Sequence, residues 1–217
     1  MTAHALAEID RFKIVDQPTG RVYLGYDQEW YGTAWQRRAG CGPTTACNLL
    51  RYLMPSLGPA ARKLPDRRSE APAFMEELWR YVTPTCHGVN TTSLFATSVL
   101  AYAQAQAWPL DCRVWDVPAA RAHRLPLDDL VHFLDKALAQ DLPVAFLNLC
   151  NGEESLLDEW HWVTIIALAD ARPGAGLTVR LLDSGAVKQI DLARWYATTT
   201  RDGGFVVLAP RGPGGHV

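Results

Sequence analysis

Ala46, Leu49, Leu50, Leu53 and Met54 recur at intervals of three and four residues. That stripe predicts an amphipathic helix starting near Cys41. Pro43 suits its first turn, where a missing N–H has no helical partner to lose. Similar patterning predicts helices over 74–82, 92–106 and 126–140. In the last of these Leu127, Leu130, Val131, Leu134 and Leu138 share one face, and Asp128 and Asp129 complement the positive N-terminal end.

The texture then changes. Short apolar runs rich in Val, Ile and aromatics at 144–149, 162–168, 178–182 and 205–208 read as strands, with turn-like stretches such as 170–176 and 201–204 between them. An earlier segment, 21–35, is rich in Tyr, Val and Trp and reads as short strands or extended chain. Helices first and closely spaced strands later predict an α+β domain with an antiparallel sheet. We expect a single domain over 1–209, with a helical half at about 36–140, a sheet half at about 143–209, and a site in the cleft between them. The stretch 55–72 holds four prolines along with Arg62, Lys63, Arg67 and Arg68 and reads as a long, solvated surface loop. The Gly- and Pro-rich end, 210–217, reads as a flexible tail.

Composition narrows the class of protein. Of 217 residues 48% are hydrophobic and 20% charged, which fits a packed core rather than disorder. A net charge of -2 and scattered histidines give no electrostatic reason to expect nucleic acid or an anionic membrane as partner. No run approaches about 18 uninterrupted apolar residues, so no transmembrane helix is expected. Met1 to Lys13 lacks the pattern of a secretory signal. Five cysteines, an odd number without an export signal, predict reduced thiols in a cytoplasmic protein.

The chemistry concentrates around Cys41, in the run Gln36-Arg37-Arg38-Ala39-Gly40-Cys41-Gly42-Pro43. The thiolate is the reactive form of cysteine, and a helix N-terminus favours an anion by roughly 0.3–1 kcal/mol. Gly40 and Gly42 leave little bulk beside the sulfur, which would let a substrate carbonyl approach. Gln36, five residues upstream, carries a carboxamide whose N–H, with the backbone N–H of Cys41, could stabilise an oxyanion. His161 opens the run His161-Trp162-Val163-Thr164, where a strand start at a cleft edge would hold an imidazole rigidly. Asp183, in Leu182-Asp183-Ser184-Gly185, ends the next predicted strand. If the two strands pair, its carboxylate comes near the imidazole and can fix its tautomer.

Gln36, the Gly-Cys-Gly-Pro block at 40–43, His161-Trp162-Val163 and Asp183-Ser184-Gly185 follow one another in the order found in papain-like cysteine peptidases. The sequence resembles that superfamily, and most closely the bacterial branch related to double-glycine leader peptidases. The resemblance implies a papain-like fold, Cys41 as nucleophile, His161 as general base and acid, Asp183 as orienting residue and Gln36 as oxyanion donor. It also implies a peptide or protein substrate, no cofactor and no metal. Leader peptidases of that branch are usually fused to a membrane transporter, for which nothing here has a counterpart.

Other features are weaker. Adjacent Cys86 and His87 have poor geometry for base and nucleophile, and Cys112 and Cys150 are single, so no zinc site is expected. Cys47 shares the helix of Cys41 and reads as core, while Trp160 and Trp162 would shelter the ion pair from water. No P-loop, G-x-G-x-x-G or G-x-S-x-G motif occurs. Three functions fit: a thiol hydrolase forming an acyl-enzyme on Cys41, a transferase passing the same acyl group to an amine, and a catalytically silent binding module. The oligomeric state is not legible.

Overall fold

A computed structural model describes residues 4–58, 61–172 and 176–211. Among these described residues the patterning resolves into six α-helices, α1 (Ala34–Ala39), α2 (Cys41–Leu53), α3 (Ala71–Trp79), α4 (Thr92–Ala105), α5 (Leu127–Ala139) and α6 (Leu192–Thr198). Eight strands accompany them: β1 (Lys13–Asp16), β2 (Arg21–Leu24), β3 (Leu110–Val117), β4 (Val144–Asn148), β5 (His161–Arg172), β6 (Gly176–Asp183), β7 (Ala186–Asp191) and β8 (Gly203–Pro210). β1 and β2 form a small antiparallel pair, and the other six make one antiparallel sheet in the order β3-β8-β4-β5-β6-β7. The chain is therefore α+β, as the patterning predicts.

α2 is the helix on which the rest is built. The predicted stripe is apolar on one face only, yet all of its residues are buried. Its polar side chains are consequently satisfied inside the protein. Asn48 accepts from the N–H of Tyr26 (2.8 Å) and donates to Thr164 Oγ1 on β5 (3.3 Å). The Arg51 guanidinium donates to the carbonyls of Arg11, Lys13 and Pro65 at 2.7–2.8 Å, tying the N-terminal strands to the helix. Cys47 lies wholly in the core, and α2 packs against β5.

Several boundaries depart from the sequence reading. The region read as extended over 21–35 holds a short strand, a 3-10 turn at Gln28–Trp30 and then α1. β3 lies inside the stretch read as helical and joins the sheet beside β8. β7 and α6 fill the interval between β6 and β8, where no element is expected. Of the turn expected at 170–176, residues 170–172 continue β5, Gly176 opens β6, and 173–175 lie outside the described residues. The 55–72 loop is largely irregular where described, but its basic residues are not simply solvated. Arg62 pairs with Glu77 and reaches Tyr102, and Arg68 lies 3.7 Å from Asp16. Pro210 closes β8 and the Arg211 N–H bonds the Pro109 carbonyl (2.7 Å); the rest of the expected tail, 212–217, lies outside the described residues.

Candidate active site

Two strand ends and one helix start meet at a single point. β5 begins at His161, whose register partner on β4 is Asn148, and β5 pairs antiparallel with β6 through Thr164 and Leu182. β6 ends one residue later at Asp183. Its carboxylate Oδ1 lies 2.8 Å from His161 Nε2. Cys41, which opens α2, borders the same crevice as His161 and Asp183, and its side chain interacts with the imidazole. Because Nε2 faces Asp183, Nδ1 is the ring nitrogen left for sulfur. The Cys41 Sγ also lies 3.9 Å from the Trp160 carbonyl.

The electrostatics follow from this line of contacts. Burial of the His161 ring disfavours its charged form, but the hydrogen bond to Asp183 and the interaction with Cys41, with the charges of both, outweigh it and raise the imidazole to about 10. Asp183 is also desolvated, which alone would raise it. Its contacts with His161 and with Lys188 Nζ (2.6 Å from Oδ2) win and hold the carboxyl well below the usual carboxylate range. Asp183 is thus an anion with a cation on each oxygen, and Ser184 Oγ adds a further bond to Oδ1 (3.1 Å).

The glycines beside Cys41 have a different reason from the one their small size suggests. A Cβ on Gly40 would come within 2.4 Å of the Gln36 carbonyl and 2.7 Å of the Tyr31 ring. One on Gly42 would meet the Val89 side chain at 2.9 Å. They permit close packing around the helix start.

Gln36 makes its hydrogen bonds with Thr33 and Glu76. Its Oε1 accepts from the N–H and hydroxyl of Thr33 (3.1 and 2.9 Å), closing a capping box on α1, and its Nε2 donates to Glu76 (2.7 Å). It does not border either cavity that Cys41 lines. In the structure Gln36, the residue expected as oxyanion donor, caps α1. A second carboxamide, which sequence reasoning missed, does reach the site. Gln28 borders a narrow crevice together with Cys41, His161 and Asp183. Its Nε2 donates to the Arg37 carbonyl (2.9 Å), and its second amide proton has no partner among the described residues. Nothing in the sequence marks it, since a lone glutamine well before a helix carries no spacing signal.

On the other side of Cys41 lies an open cavity of about 290 Å³. Trp35, Val89, Leu147, Leu149 and Trp160 give it apolar walls, with Arg38 and the Cys86–His87 pair at its border. Trp160 is half-exposed and holds a left-handed backbone (φ 54°), a conformation costing a non-glycine residue about 1–3 kcal/mol, immediately before His161. Trp162 instead is buried, stacked on Phe95 at 4.3 Å.

Asp158, His161 and Asp183 carry ligand-type atoms within 4.8 Å of one another. Two of the three are already hydrogen-bonded to each other, and Lys188 occupies the remaining Asp183 oxygen. A metal ion would have to displace that ammonium, so the donor set fits a hydrogen-bonded relay better than a metal centre. No helix among the described residues is long and apolar enough to cross a membrane.

No family model matches the sequence, and no curated protein matches it. Among solved structures, UfSP from C. elegans superposes with a TM-score of 0.51 at 11% identity, over 80% of this chain. The chain spans 30% of that protein's length. At this identity the likeness is one of fold: both share the papain-like arrangement of helices and antiparallel sheet. It reaches the papain-like fold and not the double-glycine branch.

Proposed function

We propose that this chain is a papain-like thiol hydrolase that cleaves a peptide, isopeptide or amide bond through a Cys41 acyl-enzyme. The observation carrying this reading is that His161, hydrogen-bonded to the Asp183 carboxylate, shares one narrow crevice with the Cys41 side chain. In this mechanism sulfur and ring share one proton, which the ring holds. Cys41 attacks the substrate carbonyl, the imidazolium protonates the departing amine, and the neutral ring then takes a proton from the water that hydrolyses the thioester. Asp183 keeps the ring in the right tautomer through Nε2. For the oxyanion we assign the Gln28 amide, which borders the same crevice, in place of Gln36. The apolar cavity beside Cys41 favours an apolar side chain on the substrate. All five cysteines are free thiols, which supports a reducing, cytoplasmic setting.

The test is incubation of the full chain with peptide and isopeptide libraries, with and without a primary amine, followed by mass spectrometry. The expected result is a thioester adduct on Cys41 and a free-acid product, both absent in Cys41→Ala. An amine conjugate as main product would replace the hydrolase with a transferase. No adduct with any substrate would leave a papain-fold binding module.

A further inference from the structure

The Cys41–His161–Asp183 line does not end at the carboxylate. β6 and β7 are joined by a two-residue turn, Ser184-Gly185, with both residues in the left-handed region (φ 50° and 72°). That is the signature of a tight type I′ hairpin, whose twist matches the flanking strands and pins their register. Within it Asp183 faces Ala186 and Leu181 faces Lys188. Lys188 therefore lies on the diagonal from Asp183, a separation that long side chains span. Its Nζ sits 2.6 Å from Oδ2, the oxygen that His161 does not use. The hairpin is itself held in place: the Leu24 N–H bonds the Gly185 carbonyl (2.9 Å), and a Cβ on Gly185 would meet the Tyr23 ring at 2.7 Å.

We propose that Lys188 is a positioning residue that tunes the Cys41–His161 pair through Asp183, an inference that rests on the hydrolase reading above. It touches neither sulfur nor imidazole. With it the line alternates in charge: sulfur, imidazolium, carboxylate, ammonium. The other groups facing this line are Cys41 from α2, Asp158 from the loop before β5, and Ser184 from the turn. Asp158 is a further anion, so Lys188 is the only cation besides the imidazolium among these groups. Removing a positive charge makes every proton loss from the pair harder, so the whole reactivity profile should move up the pH scale. Lys188 is about 39% exposed, and solvent weakens its field. The expected move is therefore about half a pH unit, the size that a partly exposed ion pair produces.

The experiment is the rate of Cys41 alkylation by iodoacetamide from pH 4 to 9, mapped by mass spectrometry on the full chain. Wild type, Lys188→Met, Lys188→Gln and Lys188→Arg are compared, with circular dichroism to show that each is folded. The expected result is an upward shift for Met and Gln, with Arg close to wild type. Superimposed profiles for Met, Gln and wild type would overturn the role of Lys188, as would an Arg profile displaced as far as Met. His161→Ala in the same series separates the premises. If wild-type Cys41 has no His161-dependent lead over exposed Cys86, the pair itself fails and this inference fails with it. If the lead is present and the Lys188 profiles coincide, only the tuning role fails.

Discussion

His161 and Asp183 stand at facing ends of neighbouring antiparallel strands, Nε2 of one 2.8 Å from Oδ1 of the other. The contact is built by the sheet: β5 starts where β6 stops, so pairing Thr164 with Leu182 brings the two side chains together with little loop freedom to lose. Rigid strands hold catalytic geometry better than loops do.

Replacing Asp183 by Asn keeps the shape but removes the anion facing the ring. Hydrolysis should fall by about 10²-fold or more, in the range of a disabled acid–base group. Steady-state kinetics on a fluorogenic peptide would show it as a loss in kcat with KM little changed. An unaltered kcat would remove Asp183 from the mechanism.

The two glutamines should separate cleanly. Gln28→Ala is expected to lower kcat by about 10²-fold, as the loss of an oxyanion donor does, with the unfolding midpoint near wild type. Gln36→Ala should cost about 1 kcal/mol of stability through the lost α1 cap, with kcat largely retained. Urea denaturation and kinetics on the same samples decide the matter, and the opposite pattern would return the oxyanion role to Gln36.

Asn48→Ala removes the acceptor of the buried Tyr26 N–H and the donor to Thr164. A buried polar group left unpaired costs about 1–3 kcal/mol. Chemical denaturation should show a loss of that size, and a change below about 0.5 kcal/mol would mean that water replaces the side chain.

Stability should follow pH through the same ion pair. His161 is raised in the folded chain from 6.5 to about 10, so its contribution is full below pH 6.5 and is lost as pH climbs towards 10. Asp183 is lowered, so its contribution is present above its ordinary value of 3.8 and is lost as pH falls below that. The stability gap between wild type and His161→Ala should therefore be widest between about pH 4 and 6.5 and shrink on the alkaline side. A gap that widened from pH 7 to 9 would contradict the assignment.

The central strands and long helices were legible because their burial leaves a one-sided or continuous apolar signal. β4 is buried throughout, and α5 keeps its apolar residues on one face. The elements that sequence reasoning missed lie where that signal is diluted. β3 and β7 are the two edges of the sheet, and Arg113, Asp116, Lys188 and Gln189 interrupt their apolar pattern, as solvated edges require. The convergence of Cys41, His161 and Asp183 on one crevice is legible because each is flanked by a strong element. Gln28 and Lys188 were not, because each reaches the site through a loop or hairpin whose path depends on tertiary contacts. Gln36 fits two patterns at once: its spacing to Cys41 suits a donor and its spacing to Thr33 a capping box, and the structure shows the capping box.

The most direct test of the account is the rate at which limiting iodoacetamide modifies each cysteine of the native chain at pH 5.5, in wild type and His161→Ala. The comparison is with Cys86, which is exposed and so is not protected by burial. The thiolate–imidazolium pair predicts that Cys41, although buried, reacts well ahead of Cys86 and loses that lead without His161. A Cys41 that lags behind Cys86, or reacts equally with and without the imidazole, would contradict the catalytic reading and leave a papain-fold protein that binds without cleaving.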